Sequence, residues 1–227
     1  MRYRSMGPSG AVVSAISLSL ASDPARPRAS DWTAYIYAAL EHGVSTFEVS
    51  GHDPVVIGGL AEAVSAVDRR LLFVSWRLGS GGGPRDFSPA GLTNQVRAAI
   101  ARTGLQYLDA VVLDEPGADE LLPASLQVLV DLKTSGAARF IGLGGEGAPI
   151  DDHIAAGGLD LLIVPFNLTS GWSDRNRIRA ALAGDMAVVG YRAYPRDFHA
   201  QVAAASRSAI TMTMPAAKPS SPPRGPP

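Results

Sequence analysis

Residues 104–116 read GLQYLDAVVLDEP, opening on a glycine and closing on two carboxylates and a proline. Between them, Leu108–Leu113 is a nearly unbroken apolar run. A strand with one wet face alternates apolar and polar side chains. An unbroken run marks a strand buried on both faces, as in a parallel sheet covered by helices. Gly104 stands where a preceding helix should stop, because glycine accepts the left-handed backbone that ends helices. Asp114 falls at the carboxyl end of the strand, the end where parallel α/β barrels carry their sites.

The same pattern extends in both directions. Strands are predicted at Val13–Leu20, Val44–Glu48, Leu71–Trp76, Leu108–Leu113, Phe140–Leu143, Leu161–Pro165, Ala187–Tyr191 and Ile210–Met214. Amphipathic stretches lie between them at Asp31–Glu41, Val56–Val67, Pro89–Arg102, Pro123–Lys133 and Trp172–Leu182. Asp31 and Ser88 are candidate helix caps, and Gly43 and Gly136 are further candidate stops. Regular alternation of strand and helix implies parallel strands joined by right-handed crossovers. Eight strands in this order predict an α/β fold, a (β/α)8 TIM barrel. It is compressed, since about 250 residues is usual for that fold. A doubly wound open sheet is the rival arrangement.

The compression falls at the end. After Tyr191 there is room for one short helix, near residues 198–205, before the last strand. Pro215–Pro227, PAAKPSSPPRGPP, cannot hold a helix and is expected to be disordered. The predicted organisation is a barrel domain over 1–214 and a proline-rich tail over 215–227. No closing helix follows the eighth strand, so the outer helix ring is expected to be incomplete at the C-terminus. Apolar surface left there would suit a partner.

Composition narrows the function classes. Of 227 residues, 46% are hydrophobic and 18% charged, which suits a globular core rather than a disordered chain. Twenty basic residues against twenty-one acidic give a net charge of −1, with no basic stripe to serve as a nucleic-acid footprint. There is no cysteine, which excludes disulfides, thiolate metal sites and a cysteine nucleophile. No run approaches the ~18 apolar residues of a membrane helix, and residues 11–21 lack the flanks of a secretory signal. The expectation is a soluble, cytoplasmic protein.

Six segments, in order, resemble the aldo-keto reductase family: Tyr3–Leu18 (YRSMGPSGAVVSAISL), ALEHGVSTFEVS, GLQYLDAVVLDEP, LVDLKTSGAARFIGLGG, LDLLIVPFNL and MAVVGYRAYP. The first is similar to that family's N-terminal hairpin and first strand. The resemblance implies carbonyl reduction with NAD(P)H at the mouth of the barrel. There a tyrosine protonates the carbonyl oxygen, a lysine–aspartate pair lowers its pKa, and a histidine assists. Matched residue by residue, the aspartate falls on Glu48, the tyrosine on Asp53, the lysine on Arg77 and the histidine on Asp114. All four positions are changed. An aspartate at neutral pH carries no proton to donate, and an arginine cannot act as a tunable ammonium.

For the cofactor, the resemblance places the carboxamide-holding pair on Gly144 and Gly145, a sixth-strand glutamine on Ile163, and the stacking tyrosine on Tyr191. Asn167 ends the sixth-strand motif and joins Tyr191, Gly144 and Gly145 as a candidate cofactor contact. The phosphate- and adenine-binding elements beyond the last strand have no counterpart, since Lys218 and Arg224 lie in the tail. NAD(H) or NADP(H) binding is expected to survive through Tyr191.

Each candidate has a plainer reading. Glu48 and Asp114 could form a new acid–base pair, or Arg77 could simply neutralise the carboxylates of a relict pocket. His52 could shuttle a proton or, with Asp53, Asp114 and Glu115, hold a metal, but a solvated turn histidine is the simpler account. GLGGEG (Gly142–Gly147) spells G-x-G-x-x-G, yet with no long helix expected after it, it reads as a flexible loop. GSGGGP (Gly79–Pro84) likewise reads as a mobile loop near the site.

The leading expectation is a non-catalytic protein on a reductase scaffold, a regulator that senses NAD(P)H. It resembles the KidO-like pseudo-oxidoreductase regulators of cell division and the cell cycle. That resemblance implies a tubulin-like division protein or a cell-cycle histidine kinase as partner. The alternatives are an enzyme of another class (lyase, isomerase or cyclase) using the barrel-mouth carboxylates, and a reductase with displaced acid chemistry.

Overall fold

Seven of the apolar runs pair in chain order into one parallel sheet. In the computed structural model, which describes residues 1–82 and 84–193, a hairpin comes first, formed by β1 (Tyr3–Ser5) and β2 (Val12–Ser14). Then follow β3 (Ser17–Leu20), α1 (Ala29–Glu41), β4 (Thr46–Ser50), α2 (Pro54–Ala66), β5 (Phe73–Leu78), α3 (Pro89–Thr103) and β6 (Leu108–Asp114). The second half runs α4 (Pro123–Thr134), β7 (Ala138–Gly144), α5 (Ala148–Ala156), β8 (Leu161–Pro165), α6 (Trp172–Ala183) and β9 (Ala187–Tyr191). The sheet order is β3-β4-β5-β6-β7-β8-β9. A doubly wound sheet reverses its strand order at a switch point, and this one never does; it winds as a (β/α)8 barrel winds.

Period-two side-chain alternation separates two cores. Leu18, Leu20, Phe47, Val49, Val74, Trp76, Val111, Leu113, Ile141, Leu143, Leu162 and Val164 point outward and pack under the helices, against Trp32, Ile36, Leu60, Leu92 and Leu129 among others. Phe73, Ala110, Val112, Phe140, Leu161, Ile163 and Ala187 point inward and meet Met6 and Val13 of the hairpin, which plugs the amino end. The hairpin is tied to the sheet through Ser14, whose hydroxyl donates to Thr46 Oγ1 at 2.9 Å. At the same end Asp109, 1% exposed, accepts from Arg69 at 2.6 Å, Arg139 at 2.9 Å and the Val74 amide at 2.8 Å.

Several expectations need correction. The predicted strand Val13–Leu20 is two strands, β2 and β3, serving different sheets. Val44–Glu48 and Leu71–Trp76 lie two residues further on, because Gly43 ends a helix and Arg69–Leu71 forms a 3-10 turn. Asp31 is not the cap of α1. It lies within the first turn and accepts from the Arg28 amide at 3.1 Å. A helix not anticipated, α5, opens directly after GLGGEG. Gly142 and Gly144 of that stretch belong to β7 itself, so the match to the dinucleotide fingerprint is a coincidence of spelling. The predicted strand Ile210–Met214, the short helix before it and the tail 215–227 lie outside the described residues.

Candidate functional site

Strand parity sends Glu48, Arg77, Asp114 and Tyr191 inward at the carboxyl ends of β4, β5, β6 and β9. Register then sets their heights: Arg77 lies beside Ser50 and Val112, Asp114 beside Gly144, and Tyr191 beside Pro165. Three of the four positions matched to the reductase site thus converge, as the sequence anticipates.

Arg77 is the hub. Its guanidinium lies 3.1 Å from Asp114 Oδ1 and 3.4 Å from both Glu48 oxygens. The Arg77 side chain is only 10% exposed, against 17% for Glu48 and 21% for Asp114. These contacts are longer than the ~2.7–2.9 Å of strong charge-assisted bonds, and Arg77 Nε is buried with no hydrogen-bond partner. The same guanidinium stands over the Tyr191 ring, 5.2 Å from its centroid, and Arg192 lies at the same distance. Burial pushes the Glu48 carboxyl above its ordinary range; Arg77 pulls against this and the Asp114 charge adds to it. Burial also pushes the Tyr191 phenol up, opposed by the charges of Arg77 and Arg192.

Gly144 makes this arrangement possible. A Cβ there would come within 3.3 Å of Arg77 Cζ, Arg77 Nη2 and Asp114 Oδ1. A side chain at 144 and the Arg77–Asp114 pair therefore compete for one space. Gly145 leaves room for the Glu115 side chain, and Glu115 itself has a left-handed backbone, φ 47°. Arg85, which the sequence reading missed, fastens this rim. It donates to the Asp114 carbonyl at 3.1 Å and the Glu115 carbonyl at 2.7 Å, and it pairs with Glu120 at 2.7 Å. Nothing local in the sequence marks those carbonyl partners. Below the cluster, Glu48 and Tyr191 line a cavity of about 680 Å³ that extends past Ser17, Ser19, Ile163 and Val189 toward the hairpin.

Other candidates have different duties. Asp53 caps α2, accepting from the Val55 amide at 2.8 Å; a hydrogen bond from Ser22 and that amide hold its carboxyl below the usual range. It makes no ion pair with the Arg77 cluster. Asn167 closes its own turn, its Oδ1 accepting from the Thr169 amide at 2.9 Å and the Thr169 hydroxyl at 2.6 Å. His52 is half-buried against Trp76, ring centroids 6.5 Å apart, and burial with the nearby Arg102 charge pushes its pKa down. It is not the solvated turn histidine expected. Among the described residues no three His, Asp or Glu side chains gather as a metal site. In the glycine run, Gly81 is packed on Gly51, where a Cβ on either residue would strike the other's backbone within 3 Å. Ser50 and Ser80 share a hydrogen bond of 2.9 Å beside that contact. No helix among the described residues is long and apolar enough to cross a membrane.

Comparison with known proteins agrees with this architecture. The model of the Aldo/keto reductase family matches residues 21–193. No curated protein matches. Among solved structures, an aldo-keto reductase assignment from Pseudomonas aeruginosa superposes with a TM-score of 0.71 at 20% identity, covering 92% of this chain and 84% of that one. The holo form of aldo-keto reductase AKR11C1 from Bacillus halodurans gives 0.73 at 14% identity, covering 96% and 79%. At such identities the likeness is one of fold.

Proposed function

The chain belongs to the aldo/keto reductase family, and from that premise we propose a non-catalytic regulator that senses a nicotinamide dinucleotide through Tyr191. The observation that carries the reading is the state of the four positions that would do reductase chemistry. Arg77 is held between Glu48 and Asp114, and Asp53 is committed to capping a helix. No phenol stands among the four to protonate a carbonyl, and no ammonium to tune one.

The cofactor of the family supplies hydride when it is bound. The described residues suit holding its ring better than using it. Tyr191 offers an aromatic face on β9, and the Gly144–Gly145 backbone lies two strands away at the end of β7, with the Arg77 guanidinium between Gly144 and the ring. The guanidinium groups of Arg77 and Arg192 each stand 5.2 Å from the centroid of that ring. A bound ring and Arg77 therefore compete for Tyr191, and movement of Arg77 against Asp114 and Glu48 is the change that a partner protein reads. A tubulin-like division protein or a cell-cycle histidine kinase is the partner to try first.

The test is a fluorescence titration with NADPH and NADH. Micromolar binding is expected, weakened about five- to tenfold in Tyr191→Ala, as loss of an aromatic contact of about 1–1.5 kcal/mol implies. Absence of binding, or unchanged affinity in Tyr191→Ala, overturns the sensor. One observation favours a second reading, an enzyme of another class. Glu48 lines the cavity and its carboxyl is pushed up by burial, as a general acid requires. A turnover assay with Glu48→Gln separates the two: it abolishes proton transfer in the second reading, whereas the sensor, with one partner of Arg77 neutralised, keeps dinucleotide binding at an altered affinity.

A further inference from the structure

Three large apolar side chains, Phe166, Leu168 and Trp172, crowd the turn between β8 and α6, with Leu168 and Trp172 90% and 77% exposed. The helix continues the patch. Trp172, Arg175, Arg179 and Leu182 recur at intervals of three and four residues, which places them on one stripe of α6. All four are exposed, while Arg177 and Ala181 form the buried face. On the other flank of Trp172, a groove of about 290 Å³ between α5 and α6 is lined by Ile154, Asn176 and Ala180.

Charge decides what fits this face. Of the three arginines of α6, Arg177 is buried and held by Asp151 at 2.7 Å and Asp174 at 3.4 Å. Arg179 reaches only the Asn176 amide oxygen, and Arg175 pairs with nothing among the described residues. Two cations thus stand about 6 Å apart along the helix, beside an aromatic ring and an apolar groove, with no carboxylate partner among the described residues. A second copy of α6 would set arginine against arginine. Residues 194–227 carry Arg196, Arg207, Lys218 and Arg224 against a single acid, Asp197, so the charge of that segment is also wrong. A net charge of −1 and only two such cations disfavour a nucleic acid.

We propose that the outer face of α6, with the turn before it, is a docking surface for an acidic amphipathic helix of a partner protein. The partner inserts an apolar side chain into the groove beside Trp172 and sets two carboxylates, four residues apart, against Arg175 and Arg179. Acids at that interval on a helix match the interval of the arginines. Tryptophan and arginine are also residue types that anchor interfaces. The Phe166 amide donates to the Tyr191 carbonyl at 2.9 Å, so the surface abuts the end of β9. Docking does not require a bound dinucleotide, so its failure leaves the sensor reading standing, and the converse holds.

The probe is a display library of helical peptides, randomised along one face and selected on the full-length chain without nucleotide. Selected sequences should carry an apolar anchor and two acids four residues apart. Their binding should shift the emission of Trp172 to the blue, Trp32 and Trp76 being buried already. It should weaken about tenfold or more in Trp172→Ala, and in Arg175→Glu with Arg179→Glu, at unchanged melting temperature. Changing the two acids of a selected peptide to lysine should restore its binding to the charge-reversed variant. An empty selection, a selection of basic or uncharged peptides, or peptides indifferent to these substitutions overturns the proposal. Tighter binding to single-stranded DNA or to phosphatidylserine vesicles than to the peptides overturns it equally.

Discussion

At the scale of single residues, the reading turns on which neighbours hold a charge. Glu48, Arg77 and Asp114 were legible because each ends an apolar run, and parallel strands deliver such residues to one rim. Asp53, matched to the reductase tyrosine, has a local duty its setting names: an aspartate directly before Pro54 is an N-cap followed by a helix-opening proline. Asp53→Ala should cost about 1 kcal/mol of stability, measured by chemical denaturation, and leave dinucleotide affinity unchanged. Glu48 gives a pH dependence of opposite sign to that of most carboxylates. Its folded-state pKa lies above the ordinary 4.5, so the folded protein holds that proton more tightly than the unfolded chain. As pH rises above 4.5 the unfolded chain releases it first, and stability falls until the folded pKa is passed. Relative to Glu48→Gln, the unmodified protein should lose melting temperature across that interval; parallel curves would show that Glu48 is not perturbed. Gly144→Ser should cost about 1–3 kcal/mol, because its Cβ enters the space of the Arg77–Asp114 pair.

At the scale of elements, the strongly periodic segments were legible and the short or compound ones were not. Leu161–Pro165 and Ala187–Tyr191 form strands with the predicted bounds because turn residues flank them on both sides. Val13–Leu20 looked like one strand because the interruption at Ala15–Ile16 is apolar; only pairing partners show that β2 joins the hairpin and β3 the barrel. Helix α5 has nine residues with few apolar positions, Ile150 and Ile154 being the buried pair, and glycines before it masked its start. Asp109 was quoted only as part of a motif. The structure makes it the clamp between the turn before β5, β6 and β7, a buried carboxylate with two arginines. Removing one partner of such a group strands the other charges, so Asp109→Ala should lose about 3–5 kcal/mol, read by denaturant titration.

At the scale of the whole molecule, the chain order of the strands and the helices between them were enough to predict a wound parallel barrel. Long-range identity was not needed, since the likeness to solved reductases holds at 14–20% identity. The site was less legible than the fold. The resemblance implied which positions to compare with the reductase site, but only the folded arrangement shows that Arg77 has both carboxylates and the Tyr191 ring as partners. That network gives the molecule its central character, a barrel of the aldo/keto reductase family with a charge cluster of Glu48, Arg77 and Asp114 at its mouth, and the proposal is that this cluster does no carbonyl chemistry. The most direct measurement is NADPH consumption with a panel of aldehydes and ketones, at saturating nucleotide and across pH 5–8. The rate should match the protein-free blank throughout. Turnover above blank that Glu48→Gln abolishes would contradict it, because the Arg77 cluster would then contain a working acid.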